Sequence, residues 1–488
     1  MLIKDLTYGI ENLDFNSAQS GIEISGITAD SREVQKGDLF IAVRGFQVDG
    51  HNFISSAIEK GAFAFVIEKG ADFDRTIFNG TDLLVIEVED SRKALAIISN
   101  NFYNNPSTKI TLTGITGTKG KTTTAFFVKN LFETVDKKCG LIGTIANYIA
   151  DEKIDSKLTT PESYALNEFF HSMVENKCEA GVIEVSSHAL ELKRVYGLDF
   201  DFAAFTNLGN DHLDFHKTVE NYTNAKKTFF DNLKPNAYAV VNSDDPNWKT
   251  LTKDTKAKVY TFGENSEADF RITDTSYDLS GTKFKIIYKN VSYDLKTMLI
   301  GKFNAYNAAI AFAIGMLSNF DIDSIIKSIA YTPQIPGRFE VVSNVSKKII
   351  VDYSHTAESL EQALTAINKM NRTEAQVVTV FGCGGDRDKS KRPVMGKVAS
   401  ENSDLVVVTS DNPRTEDPYE ILEDIRPGLM NSSYEIIENR KEAIKYAIEN
   451  SEEDAVILIA GKGHETYQEI NGIKNYFSDK EVALEFIQ

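Results

Sequence analysis

Gly114-Ile115-Thr116-Gly117-Thr118-Lys119-Gly120-Lys121-Thr122 follows an apolar run over Ile110–Leu112 and leads into a helical pattern over Thr122–Phe132. A strand, a glycine-rich turn and a helix start in that order form a cradle whose backbone N–H groups can face a phosphate. Read this way, Lys121 reaches the phosphates and the Thr122 hydroxyl holds Mg2+. The usual loop has four residues between its first glycine and the Gly-Lys pair, whereas five separate Gly114 from Gly120. The stretch therefore departs from the loop of an ordinary GTPase or kinase.

Downstream, apolar strands and helical stretches alternate, with strands expected at Gly181–Val185 and Phe202–Thr206. Such alternation implies a mainly parallel sheet covered by helices, and ligands of such sheets sit beyond the carboxyl ends of the strands. Glu184, close to such an end, is thereby placed as a carboxylate for Mg2+. His212 and His216 lie four apart in Asp211-His212-Leu213-Asp214-Phe215-His216, a spacing that also suits zinc. Zinc needs further soft ligands and no cysteine is near, which leaves Mg2+ binding by His212 or a structural role for the pair as the readings.

Working outward, Asn104-Asn105-Pro106 and Pro333-Gln334-Ile335-Pro336-Gly337 interrupt the pattern. They suggest three domains: a small N-terminal α/β domain over 1–106, a central parallel-sheet domain with the phosphate loop over 107–332, and a Rossmann-like domain over 333–488. Strands are expected at Asp38–Val43 and Ala62–Ile67 in the first, and at Lys348–Val351, Gln376–Phe381, Leu405–Thr409 and Ala455–Ile459 in the last. Gly382-Cys383-Gly384-Gly385 lacks dinucleotide-binding spacing.

With 53 basic and 71 acidic residues the formal charge is -18, which disfavours nucleic acid as a partner. The N-terminus carries no leader pattern and no apolar run reaches the length of a membrane span. Three scattered cysteines form no disulfide or zinc-ribbon pattern, so a cytoplasmic protein is expected.

Three blocks then act together: Gly117–Thr122, Glu184-Val185-Ser186-Ser187-His188, and Asn207-Leu208-Gly209-Asn210-Asp211-His212. In combination they resemble the Mur ligase family, and matching motifs run from Asp30-Ser31-Arg32 to Gly461-Lys462-Gly463-His464-Glu465. The resemblance implies an ADP-forming acid–amino-acid ligase of peptidoglycan synthesis. Its ATP phosphorylates a carboxylate, and an incoming amine attacks the acyl phosphate. The implied substrates are UDP-N-acetylmuramoyl-L-alanyl-D-glutamate and meso-diaminopimelate, the implied cofactors ATP and Mg2+, and the implied state a monomer.

The same resemblance assigns ATP to Gly117, Thr118, Lys119, Gly120, Lys121, Thr122, Thr123, Asn304, Asn307, Arg338 and Asp352. It assigns the nucleotide-sugar dipeptide to Ser31, Phe46, Gln47, Val48, Thr159, Thr160, Ser186 and Arg194. The amino acid falls to Arg387, Asp411, Asn412, Pro413, Arg414, Gly461 and Glu465, with Arg414 reading the distal carboxylate. Lys121, Glu184, His212 and Lys226 are the implied catalytic set. Lys226 matches a lysine carbamylated by CO2, which turns a cation into an oxygen ligand and completes a metal set of Thr122, Glu184, His212 and Lys226. Lys119 and Leu192 stand where the family more often has Asn and Gln. An L-lysine-adding ligase, folylpolyglutamate synthesis and a non-catalytic nucleotide-binding regulator are the competing readings.

Overall fold

Both faces of the strands are apolar along most of the chain, and the fold follows from covering them. The computed structural model describes residues 1–11, 13, 21–45, 48–209, 211–344, 347–371, 375–430 and 433–487, without the side chains of residues 213, 214 and 344. The described chain forms an α/β structure in two compact units. One comprises Met1–Arg271, Ile287–Val291 and Asn307–Ser328; the other comprises Ile272–Ile286, Ser292–Tyr306 and Ile329–Gln488.

In the first unit, β1 (Ile27–Thr28), β2 (Leu39–Ile41), β3 (Ala64–Glu68) and β4 (Leu84–Val88) form a four-stranded parallel sheet in that order. Alternate side chains enter two cores: Leu39, Ile41 and Val66 pack with Leu95 and Ile98 of the helix Ser91–Phe102, while Phe40, Phe65 and Ile67 pack on the other face. A parallel sheet buried on both faces needs such continuous apolar strands.

The same unit carries β5 (Thr111–Thr116), β6 (Cys139–Ile142), β7 (Ala146–Ile149), β8 (Glu152–Asp155), β9 (Ala180–Glu184), β10 (Phe202–Phe205), β11 (Tyr238–Asn242) and β12 (Lys258–Gly263). Their order is β12-β11-β10-β5-β9-β6-β7-β8, and only β7 and β8 add antiparallel pairings. β5 lies between β9 and β10, with Ile115 opposite Glu184 and Thr116 opposite Phe205. The turn after β5 and the carboxylate of Glu184 therefore emerge at one edge of the sheet, where such folds bind ligands.

The strand runs further than the sequence suggests. Gly114 lies inside β5, and a Cβ there would meet Phe229 at 2.5 Å and Phe200 at 2.7 Å. It is a packing glycine, and the turn begins at Gly117. There φ is +149°, and an added Cβ would lie 1.9 Å from Thr206 Oγ1.

After β13 (Phe270–Asp278), β14 (Gly281–Tyr288) and β15 (Val291–Thr297), the second unit builds a six-stranded sheet from β16 (Glu340–Asn344), β17 (Lys348–Asp352), β18 (Val377–Phe381), β19 (Leu405–Val408), β20 (Ser433–Ile436) and β21 (Val456–Ala460). The order is β16-β17-β21-β18-β19-β20, parallel except for β16. Phe381, Val406 and Leu458 face one core; Val380, Val407 and Ile457 face the other. β22 (Tyr467–Ile470) and β23 (Ile473–Tyr476) make a separate antiparallel hairpin. No described helix is long and apolar enough to cross a membrane.

Candidate active site

The phosphate loop is held from outside by the end of β10. Lys119 donates its backbone N–H to Asn207 Oδ1 at 3.0 Å, and its carbonyl accepts from Thr206 Oγ1 at 2.6 Å. Thr118 N–H donates to the Asn207 carbonyl at 2.8 Å. Gly120 then precedes the helix Lys121–Thr134, whose first turn contains Thr122 and Thr123. Asn307 closes the other side, where its Oδ1 accepts from Thr124 Oγ1 at 3.2 Å and would lie 2.6 Å from a Cβ on Gly120. Lys121 Nζ donates to the carbonyls of Gly117 and Thr118, at 2.9 and 3.0 Å, so its charge already sits on the loop.

Glu184 is almost wholly buried, and three donors hold it: Thr122 Oγ1 at 2.9 Å, Thr144 N–H at 2.9 Å and Thr144 Oγ1 at 3.0 Å. The chain continues from this carboxylate into the proposed dipeptide residues. Thr144 Oγ1 lies 3.1 Å from Thr159 Oγ1, while Thr160 Oγ1 donates to the Glu184 carbonyl at 2.7 Å and contacts Ser186 Oγ at 3.2 Å. Arg194 Nη1 donates to the Thr160 carbonyl at 3.0 Å, and the same guanidinium pairs with Glu162 at 2.6 Å. Thr122, Glu184, Thr159, Thr160, Ser186 and Arg194 thus form one connected polar network. Ser31 is largely buried and Val48 exposed; Phe46 and Gln47 lie outside the described residues.

Lys226, on the helix Val219–Asp231, is 1% exposed. Its Nζ donates to the Gly117 carbonyl at 3.1 Å and Thr116 Oγ1 at 3.5 Å, and lies 4.6 Å from the centre of the Tyr222 ring. No carboxylate among the described residues comes within ion-pair distance of it. Burial first, and then the Lys121 charge, push its pKa well below that of an ordinary lysine. His212 has φ +54° and stacks edge-on with His188, ring centres 4.8 Å apart. Desolvation, opposed by Asp211 and aided by His188, Lys121 and Lys226, brings its imidazole down to about 4. A neutral imidazole is the form that ligates metals. Thr122 and Glu184 offer the hard oxygens that Mg2+ takes, although no cluster of three or more His, Cys, Asp or Glu side chains is arranged around a metal centre among the described residues.

The second unit gathers a different set. Asn412 Nδ2 donates to Glu465 Oε2 at 2.9 Å, while its Oδ1 accepts from Lys462 Nζ at 3.0 Å and Glu469 N–H at 2.9 Å. Asp411 is largely buried beside Gly461, where a Cβ would lie 2.6 Å from Asp411 Oδ2. Arg387 is exposed, and the Pro413 backbone carries the turn between Asn412 and Arg414. Arg414, to which the resemblance assigns the distal carboxylate, already has neighbours in its own unit. Its side chain is 24% exposed, donates to the Gly385 carbonyl at 2.7 Å and faces Glu469 at 3.6 Å. The hairpin β22–β23 supplies that acidic neighbour.

Elsewhere in this unit, Arg338 lies over the Tyr353 ring at 4.7 Å and Asp352 Oδ2 accepts from Phe339 N–H at 2.7 Å. Asn304 donates to the Ile300 carbonyl at 2.8 Å, one helical turn before Asn307. Sequence reasoning did not single out Thr144, Tyr222, Lys462 or Glu469. Lys462 lay inside the noted Gly461–Glu465 stretch, and a lysine flanked by two glycines was its signal. Thr144 and Glu469 carried none, because only the packing brings them to Glu184 and Arg414.

A parallel sheet with a phosphate loop at its carboxyl edge, a buried carboxylate on the loop threonine and a polar cluster in the second unit fit a nucleotide-dependent α/β enzyme. The sequence matches the Mur ligase family catalytic domain over residues 23–103, the Mur ligase middle domain over 115–315 and the Mur ligase glutamate ligase domain over 337–463. It is 43% identical to UDP-N-acetylmuramoyl-L-alanyl-D-glutamate–2,6-diaminopimelate ligase 1 of Clostridium acetobutylicum, covering 100% of this chain and 98% of that one. It is 42% identical to the corresponding ligase of Bacteroides thetaiotaomicron, covering 99% of each. A solved structure of a ligase of that name superposes with a TM-score of 0.72 at 29% identity, over 100% of this chain and 98% of the other. The MurF ligase of Thermotoga maritima in complex with ADP shares the fold, with a TM-score of 0.61 at 22% identity, over 94% of this chain and 96% of that one. The chain belongs to the Mur ligase family, whose members are ATP-dependent amide ligases.

Proposed function

We propose that this chain joins meso-diaminopimelate to UDP-N-acetylmuramoyl-L-alanyl-D-glutamate. The observation that carries this reading is the network running from the head of the phosphate loop through Thr122, Glu184, Thr144 and Thr160 to Ser186 and Arg194. It links phosphate-handling groups to groups suited to an acidic peptide, and relatives of full length carry the name of this activity. A carboxylate oxygen of the dipeptide attacks the γ-phosphorus of ATP, ADP leaves, and an acyl phosphate forms. The diaminopimelate amine then attacks the acyl carbon, phosphate leaves, and the amine proton passes to solvent or a base. A bare carboxylate is a poor electrophile, and phosphorylation supplies its leaving group. Positioning and charge neutralisation supply most of the rest.

Within that scheme Lys121 and the loop N–H groups hold the phosphates, and Thr123, Asn304, Asn307, Arg338 and Asp352 are the further residues that the family resemblance assigns to the nucleotide. Mg2+, held by Thr122, Glu184, His212 and a carbamylated Lys226, would neutralise phosphate charge. The buried, uncompensated amine of Lys226 supports the carbamate, since only a neutral amine reacts with CO2. Residues 1–106 take the nucleotide end of the muramoyl substrate, 107–332 the ATP and 333–488 the amino acid. The reading is completed by a cytoplasmic monomer.

The test is release of ADP and phosphate from ATP, with the UDP-muramoyl dipeptide and a panel of amino acids. Turnover should need both acceptor and dipeptide, and should prefer diaminopimelate over L-lysine by up to about 10⁴. Equal use of L-lysine would make the chain a lysine-adding ligase. ATP binding without turnover would make it a regulator.

A further inference from the structure

The helix Val219–Asp231 lies beside β5 and the phosphate loop and touches both. Its Phe229 packs so closely on β5 that a Cβ on Gly114 would meet the ring at 2.5 Å. Phe229 and Phe230 belong to the same apolar core as Leu112 of β5, so one packing arrangement fixes helix and strand together. Toward the loop the helix presents Tyr222 and Lys226, four residues apart and therefore on one face. Lys226 Nζ donates to the Gly117 carbonyl at 3.1 Å, and the Tyr222 hydroxyl shares a hydrogen bond with Thr118 Oγ1 at 2.9 Å. Two side chains of one helix thus hold two consecutive residues of the loop.

Those two residues are also the ones that carry Lys121, whose ammonium sits on the Gly117 and Thr118 carbonyls. A lysine that moves onto a phosphate gives up both bonds, and the loop then depends on what holds it from outside. For Thr118 these holds are its N–H on the Asn207 carbonyl, the Gly209 N–H on its Oγ1 at 2.8 Å, and Tyr222. Tyr222 is 1% exposed, and Thr118 Oγ1 is the hydrogen-bond partner of its hydroxyl among the described residues. Its ring fills the space between the His216 ring, centres 5.3 Å apart, and the Lys226 ammonium, 4.6 Å from the ring centre. A phenylalanine would fill that space equally, so packing does not call for the hydroxyl; the loop does.

We propose that Tyr222 is a positioning residue for nucleotide binding, acting through Thr118 to keep the phosphate loop in its binding shape when Lys121 leaves the loop carbonyls for a phosphate. Tyr222 acts on the loop and not on the ligand. A loop held in the bound shape beforehand spends less of its binding energy on ordering, and affinity rises by that amount. The inference rests on the proposed reading of this loop as the ATP site and adds to it a residue from outside the motif.

The experiment titrates MgADP by calorimetry into the full-length wild-type protein, Tyr222→Phe, Thr118→Val and the double variant. Tyr222→Phe keeps the ring and loses one neutral hydrogen bond, so its Kd should rise about three- to tenfold. The KM for ATP should rise in step, by more than kcat falls. In the Thr118→Val background the same exchange should change Kd by less than about twofold, because the bond it removes is already gone. An unchanged Kd in Tyr222→Phe, even with lowered stability in urea, would reduce Tyr222 to a core residue and overturn the proposal. So would an equal weakening with and without the Thr118 hydroxyl, which would mean that the phenol does not act through Thr118. Failure of the wild-type protein to bind MgADP would overturn the reading of the loop itself, and this inference with it.

Discussion

Lys121 and Lys226 show how position divides two lysines that both donate to the carbonyl of Gly117. Lys121 is partly exposed at the helix start and lies on the Gly117 and Thr118 carbonyls, from which phosphate oxygens would draw it. Under the proposed function its charge would act where charge develops during phosphoryl transfer. Lys121→Ala should therefore lower kcat by about two to three decades, read from steady-state ADP release. Near-normal turnover would remove Lys121 from the phosphate site. Lys226 is buried, touches no carboxylate among the described residues and is discouraged from carrying a proton. With 13C-bicarbonate, the wild-type protein should show a carbamate carbon resonance that Lys226→Ala lacks, and Lys226→Arg should be inactive. Full activity in Lys226→Arg would exclude a carbamate, because a guanidinium cannot become an anionic oxygen ligand.

The elements of the second unit are joined by a different kind of contact. Arg440 opens the helix Arg440–Glu449 and Asp479 opens the helix Asp479–Phe486; both side chains are fully buried. Nε meets Oδ1 and Nη2 meets Oδ2, each at 2.7 Å, and Nη2 also donates to the Ala460 carbonyl at the end of β21 at 2.9 Å. The pair ties two helix starts to the strand end from which Gly461 and Lys462 continue. Arg440→Met leaves Asp479 buried without a partner and should cost about 3–5 kcal/mol in urea unfolding. Replacing both, as Arg440→Met with Asp479→Leu, should cost clearly less. Equal losses in the single and double variants would show that the pair does more than compensate its own burial.

At the scale of the molecule, two units with their own cores imply two places where ligand binding adds stability. A ligand confined to one unit stabilises it by RT ln(1 + [L]/Kd), about 2.7 kcal/mol at a hundredfold excess over Kd. Scanning calorimetry should show diaminopimelate raising the transition of the unit containing Ile329–Gln488. The dipeptide should raise the transition of the unit containing Met1–Arg271. Equal movement of both transitions by each ligand would place the acceptor elsewhere. The formal charge of -18 sets a general repulsion toward anions, so under the proposed function local cations such as Lys121, Arg194 and Arg414 would have to supply the attraction.

The sequence by itself determined the α/β class, the strand, turn and helix of the phosphate loop, and the family, because these depend on local patterning and on motifs short enough to read directly. It placed strand ends within one or two residues at most positions, but put the start of the turn at Gly114. A glycine that allows two aromatic rings to approach reads the same as one that allows a turn. Only the tertiary structure joined Thr122 to Glu184 and Thr144, and set Lys462 between Asn412 and Glu465. It alone laid Lys226 on Gly117 and brought Glu469 to Arg414. Most of these partners are tens of residues apart, and their meeting is decided by strand register and helix packing. Which acid ends up beside which base, and which buried lysine beside backbone carbonyls, is a property of that packing.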